Sequence, residues 1–233
     1  MSQTADFERA WLAKFASCLD EIAGVDVREQ VMQGSEGLAS ASPRQEVIAW
    51  SKRAMERLES LADEETRKQV MTGCACQYPK SALRGAREAY AATKDVDTVL
   101  GMLQEQFEGF LRDTLGLDDE MVAEIVQRGW GLAGVKSGNT IIATKIPKSG
   151  FLVEYMQETD PDRKRQHYCH CPRVRDALKT SESIPTTYCY CGAGFYKGIW
   201  EEILQRPVDV EVLETVLKGD EVCKIAIHLP ADV

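Results

Sequence analysis

The chain has 233 residues, enough for one large domain or two small ones with a core that needs no covalent staples. Its formal net charge of -9 argues against a nucleic-acid surface, and no apolar run reaches the roughly 20 residues that cross a bilayer. The N-terminus carries acids where a signal peptide needs a basic start, so we expect a cytoplasmic protein without nucleic-acid or membrane partners.

Helical patterns dominate residues 1–130. Apolar residues recur at helical spacing in segments that begin near Phe7, Pro43 and Val96, and Pro43 suits a first turn. Cys18 lies on the apolar face of the first segment and is predicted to be a buried core residue.

Short β-rich runs replace this pattern after Gly129, where "GWGLAG" reads as a connecting turn rather than a dinucleotide fingerprint. A helix is predicted from Gly194 to Leu204. The runs predict four strands, the first two of them joined by a hairpin at 147–150: 140–146, 151–156, 208–216 and 221–229. The fold class is therefore predicted to be α+β, with a helical subdomain over 1–135 and an antiparallel sheet with helices over 136–233.

Six of the eight cysteines form three Cys-x-Cys pairs: Cys74/Cys76, Cys169/Cys171 and Cys189/Cys191. In a reducing cytosol such pairs favour metal or redox chemistry over disulfides. Residues two apart on a strand face the same side, so the two C-terminal pairs are predicted to direct four thiolates at one zinc ion. An iron–sulfur cluster, a redox dithiol and reduced core cysteines stay open as alternatives, with His167 and His170 as further nitrogen donors.

The remaining pair lies in a predicted loop between Gly73 and Tyr78. Function and packing are balanced alternatives for it. We predict that the loop folds over the C-terminal thiols, where Cys74 and Cys76 would act as catalytic thiols if the protein is an enzyme.

From Cys191 onward the chain resembles the 4-vinyl reductase domain family over about a fifth of its length. The matching features are a glycine–aromatic motif, a helix, an Arg-Pro, a strand glutamate, a Gly-Asp and a final cysteine: 194–198, 199–205, 206–207, Glu211 or Glu214, 219–220 and Cys223. The resemblance implies a vinyl-reductase-like sheet that binds a small ligand and a zinc ion. Its ligands would be Cys191, Glu214 (or Glu211) and Cys223.

Two positions depart from that pattern. Gln205 stands where the helix would end in glycine, and Leu217 stands where a further cysteine is common. The second change leaves the implied metal site open or completed by Cys189. The wider layout resembles the L-2-amino-thiazoline-4-carboxylic acid hydrolase-like family and its uncharacterised relatives, which implies hydrolysis as an alternative function.

Aromatic residues alternate with the thiols and indicate either a pocket wall or a sheet core. Of the residues in this stretch, His170, Tyr190 and Tyr196 are predicted to line a ligand pocket. The basic residues near Cys169 and Cys171 could bind a ligand carboxylate or form a solvated face: Arg163, Lys164, Arg165, Arg173 and Arg175. A small-molecule ligand is the expected partner, and a homodimer stays open.

Overall fold

The chain folds into an α+β structure, seen in a computed structural model that describes residues 6–233. The helices in this part are α1 (Phe7–Ile22), α2 (Val25–Met32), α3 (Arg44–Leu61), α4 (Glu64–Gly73), α5 (Arg84–Thr93), α6 (Val96–Gly109), α7 (Asp119–Gln127), α8 (Leu152–Gln157), α9 (Pro161–Tyr168), α10 (Pro172–Ala177) and α11 (Tyr190–Leu204). The strands are β1 (Val135–Ser137), β2 (Thr140–Thr144), β3 (Asp209–Glu214) and β4 (Lys224–His228). No helix of the described part is long and apolar enough to cross a bilayer.

The predicted N-terminal helices are confirmed, and local chemistry explains where they begin. The Asp6 carboxylate accepts a hydrogen bond from the backbone N–H of Arg9 and caps α1, and Asp95 caps α6 in the same way. A short π-helical turn, Phe110–Thr114, continues α6. Cys18 is buried on the apolar face of α1, as predicted.

The four strands form one antiparallel sheet in the order β1-β2-β4-β3. Three of the four predicted strand segments are confirmed as β2, β3 and β4. Exposure alternates along β3 as the pleat requires, whereas the central strand β4 is buried on both faces at Ile225, Ala226 and Ile227. A β-hairpin connects β1 to β2, and its turn contains Gly138, whose φ of +58° suits glycine.

The predicted strand at 151–156 and its hairpin at 147–150 are wrong. This segment is α8, whose residues Leu152 and Tyr155 are buried one helical turn apart. Tyr155 packs its ring against Trp130 and Tyr168, at centroid distances of 5.6 and 5.5 Å. A short apolar run fits both periods, and tertiary packing selects the helical one.

The C-terminal Cys-x-Cys pairs were expected on strands, and this prediction is also wrong. Cys169 follows the last residue of α9, and Cys171 precedes Pro172, which begins α10. Cys189 ends a 3₁₀ turn, and Cys191 lies in the first turn of α11, which begins four residues before the predicted start. Helix ends, rather than a pleat, therefore position these thiols.

Two hydrophobic cores hold the fold together. The first core is built on α1, α3, α4, α8 and the segment 168–188, which carries Cys169 and Cys171. The second core lies under the sheet and is closed by α5, α6 and α11. Both cores draw residues from either side of residue 135, so the predicted subdomains share their interior.

Candidate functional site: a thiol-lined cavity

A cavity of about 800 Å³ lies where the two cores meet. Six of the eight cysteines line it: Cys76, Cys169, Cys171, Cys189, Cys191 and Cys223. They come from four separate parts of the chain. The structure thus brings both C-terminal pairs, the terminal cysteine and one thiol of the N-terminal pair to a single space.

Thr215 links two of these thiols. Its buried hydroxyl oxygen lies 2.8 Å from the Cys189 sulfur and 3.9 Å from the Cys223 sulfur. The same oxygen accepts the backbone N–H of Leu217, which holds the threonine at the start of a 3₁₀ turn. The two thiols, distant in sequence, therefore face one hydroxyl.

Tyr168 connects the segment of Cys169 and Cys171 to the sheet through hydrogen bonds. Its phenol accepts the backbone N–H of Cys223 at 2.9 Å and donates to the carbonyl of Lys145. Its own carbonyl accepts the N–H of Lys148 at 2.9 Å. Since Cys169 is the next residue, these hydrogen bonds fix the positions of four cavity residues: Lys145, Lys148, Cys169 and Cys223.

The Cys74/Cys76 loop reaches the cavity because α11 carries a glycine at the point of contact. A Cβ at Gly194 would lie 2.2 Å from the Thr72 carbonyl oxygen and 2.7 Å from the Ala75 Cβ. Cys76 lines the cavity, and its backbone N–H faces the Cys191 sulfur. Cys74 is buried behind the wall and contacts the Met71 carbonyl at 3.4 Å. The catalytic role predicted for this pair is untested, and only Cys76 has access to the cavity.

Four of the cavity thiols lie in an environment that favours their protonated form. Burial raises the pKa of Cys191 to about 12 and raises the pKa of Cys169, Cys189 and Cys223 as well. The Lys145 ammonium lowers the pKa of Cys169, Cys191 and Cys223, but burial is the larger effect. These thiols are therefore weak nucleophiles at neutral pH until a cation or ligand replaces their protons.

Three cations also line the cavity: Lys145, Lys148 and Arg175. No acidic side chain of the described residues shares the lining with them. Together with burial, which is the largest cause, all three lower the pKa of His170, to about 3. The His170 Nε2 lies 2.8 Å from the Ile146 carbonyl, which can only accept, so Nε2 carries the proton and Nδ1 is an open acceptor.

Aromatic rings form the apolar part of the wall, which includes Trp11, Phe107 and Phe195. The predicted pocket residue Tyr196 belongs to this wall, and its hydroxyl donates to the Gly131 carbonyl at 2.9 Å. Two phenylalanines line the cavity while more than a third of their surface is exposed, so they mark its opening: Phe7 and Phe110. Tyr190 instead packs under the Lys68 ammonium, away from the residues that line the cavity.

Glu214, the implied carboxylate ligand, is not part of the wall. It is half-buried and pairs with Lys224 at 2.7 Å, and Glu211 lies 3.7 Å from His228. Leu217 packs against the first core. Within residues 6–233, no three His, Cys, Asp or Glu side chains are arranged around one point as a metal ion would need. The implied role of Glu214 stays a prediction that this arrangement does not favour.

A buried ion pair supports the wall from behind. The Arg173 guanidinium donates to Glu8 of α1 and stacks 3.9 Å from the Trp11 ring centroid. Glu8 also accepts from Arg44 at 2.8 Å. Next to this pair, the Tyr188 hydroxyl lies 3.3 Å from the Cys171 sulfur. The pair thus holds α10 and its thiol against α1.

Sequence reasoning missed Lys145, Lys148 and Thr215. A signal existed for Lys145, because it follows Ile141 and Ala143 at alternate positions, and both are fully buried in β2. Of the basic residues considered from the sequence, Arg175 reaches the cavity. The other four form ion pairs outside the cavity lining: Arg163, Lys164 and Arg165 pair with nearby carboxylates, and Arg173 pairs with Glu8.

The comparisons with known proteins identify only part of the chain. Residues 158–233, about a third of it, match a family of unknown function (DUF6144). No curated protein and no solved structure matches the chain. The matched segment carries five of the six cavity thiols.

Proposed function

We propose that the protein binds a thiophilic metal centre in the thiol-lined cavity, together with a small organic ligand. The observation that carries this is the gathering of six thiols, from distant parts of the chain, around one space. Thiolates are the preferred ligands of zinc and of iron–sulfur clusters, and either needs about four.

Such a centre would take its ligands from the cavity thiols and would not need Glu214, which lies outside the wall. Cys169, Cys171, Cys189, Cys191 and Cys223 would supply the thiolates, and Cys76 closes the wall beside Cys191. A single zinc ion needs its ligands to converge on one point, whereas a cluster accepts thiolates spread around a larger body. Within residues 6–233 no three of these donors converge on one point, so either centre would require the thiols to move together on binding. The cations of the wall would balance the negative charge of either centre.

Metal and sulfide analysis of protein purified without oxygen tests the proposal. We expect about one zinc or one cluster per chain, and a cluster would add broad visible absorption. The Cys189→Ala/Cys223→Ala double variant should lose the metal. Cys18→Ala is the matched control, since Cys18 is buried away from the cavity and its loss should leave metal content unchanged. Metal-free wild type, or a double variant that keeps its metal, would overturn the proposal.

We place binding ahead of the hydrolase alternative. A thiol hydrolase needs a nucleophile with a lowered pKa, and burial raises the pKa of four cavity thiols. We also propose a cytoplasmic location, because all eight cysteines are free thiols and a reducing compartment keeps them so.

A further inference from the structure

The cavity combines positive charge with the absence of negative charge, which is unusual for this protein. The whole chain has 37 acidic and 28 basic residues. In the cavity wall this balance reverses, since Lys145, Lys148 and Arg175 line it and no acid from the described residues does.

These cations also differ from the others nearby. Arg163, Lys164 and Arg165, on the neighbouring helix α9, all have carboxylate partners within 4 Å. Within residues 6–233, none of the three wall cations has one; two lie over aromatic rings, Lys145 at 5.5 Å from the Phe195 centroid and Arg175 at 5.0 Å from Phe151. All three wall cations are half-buried. Half-burial without a partner costs free energy that a bound anion would recover.

The three cations share one neighbourhood, around His170. This imidazole donates from Nε2 to the Ile146 carbonyl at 2.8 Å, which leaves Nδ1 as an acceptor. The apolar wall continues from here to the exposed rings of Phe7 and Phe110 at the opening. The cavity is thus charged in one part and apolar in another.

We propose that Lys145, Lys148 and Arg175 bind the anionic head of a small organic acid, a carboxylate or sulfonate, whose apolar body lies along the aromatic wall. This rests on the proposed ligand-binding role of the cavity, but not on a metal being bound. Arg175 supplies a planar fork suited to two anion oxygens, and the lysines act as point charges. The volume of about 800 Å³ is ample for such a ligand.

Two fluorescent probes that differ mainly in charge test this. One is 8-anilinonaphthalene-1-sulfonate, and the other is N-phenyl-1-naphthylamine, which lacks the sulfonate. We expect the anion to bind the full-length protein at one site and at least about tenfold more tightly than the neutral probe. Lys145→Gln and Arg175→Gln should each lower the affinity for the anionic probe by about tenfold and leave the affinity for the neutral probe unchanged. Lys52→Gln, which removes a surface cation paired with Glu182, is the matched control and should change neither.

The alternative role for these cations is to balance thiolate charge alone. In that case both variants would lower metal content while the two probes would bind equally well, and the proposal would be overturned. Equal weakening of both probes, with a lowered melting temperature, would also overturn it, since it would indicate a structural role. The same titration on the Cys189→Ala/Cys223→Ala variant separates the two proposals. Retained anion selectivity in a metal-free protein supports the anion site whatever the fate of the metal centre.

Discussion

The two cores of this protein are built differently. The second core, under the sheet, includes no cysteine or charged residue among its described members, and its polar atoms belong to aromatic side chains such as Tyr196 and Trp200. The first core contains two buried cysteines, has four of the cavity thiols packed against it, and encloses the buried ion pair of Glu8 and Arg173. The first core thus carries buried charges and most of the thiols, whereas the second contributes cavity-lining residues such as Tyr196 and Ile225 without buried charges.

The largest effect should come from breaking the buried ion pair. Glu8→Gln leaves the fully buried Arg173 charge without its partner, which we expect to cost about 3–5 kcal/mol of unfolding free energy. Urea denaturation measures it. Glu29→Gln removes an exposed carboxylate near Arg28 and should change stability little. If the two variants were equally stable, the ion pair would not be a support of the first core.

A second variant tests the contact between the two cores. Gly194→Ala places a Cβ against the Thr72 carbonyl and Ala75, so α11 and the Cys76 loop must separate at a cost of about 1–3 kcal/mol. Cys74, the buried thiol of this loop, should then react faster with a thiol reagent, whereas Cys76 is already exposed. Gly198→Ala in the same helix meets no described atom within 4 Å and should stabilise the protein, by about 0.5–1 kcal/mol. Unchanged thiol reactivity in Gly194→Ala would show that this contact does not hold the loop.

A smaller loss of stability is expected when the hydrogen bonds of the Tyr168 hydroxyl are removed. Tyr168→Phe removes the acceptor of the Cys223 N–H and the donor to the Lys145 carbonyl, for a cost of about 1–2 kcal/mol. Tyr78→Phe removes an exposed hydrogen bond to Gln106 and serves as the control. Thermal unfolding of the two variants side by side measures the difference. A Tyr168→Phe protein as stable as Tyr78→Phe would mean that the phenol is not a structural bridge.

The smallest effect should be a gain, at the edge of the second core. Gln205 ends α11 with a φ of +54°, in the left-handed region that favours glycine. Gln205→Gly relieves left-handed backbone strain and should raise the free energy of unfolding, by less than about 1 kcal/mol. Gln205→Ala keeps the strain and should bring no gain. Calorimetry of both variants checks the sign, and equal melting temperatures would contradict it.

Sequence reasoning was reliable where one period dominates. The amphipathic stripe of α6 and the alternation of β3 are local properties, so their elements could be predicted. It failed at 151–156, where six apolar-rich residues fit a strand as well as a helix, and at the thiol pairs. There the proline after Cys171 begins a helix and overrides the strand that the pair spacing suggested.

For the site, the sequence by itself determined which cysteines are clustered along the chain and marked three aromatic or histidine residues beside them. Of these, the clustered cysteines except Cys74, together with His170 and Tyr196, line the cavity, whereas Tyr190 does not. Only the tertiary structure decided which thiols share a space, and which cations join them. Cys76 meets Cys191 because a glycine lets two helices approach, and Cys189 meets Cys223 at the hydroxyl of Thr215. Such contacts depend on packing between segments far apart in the chain, so local sequence patterns cannot predict them.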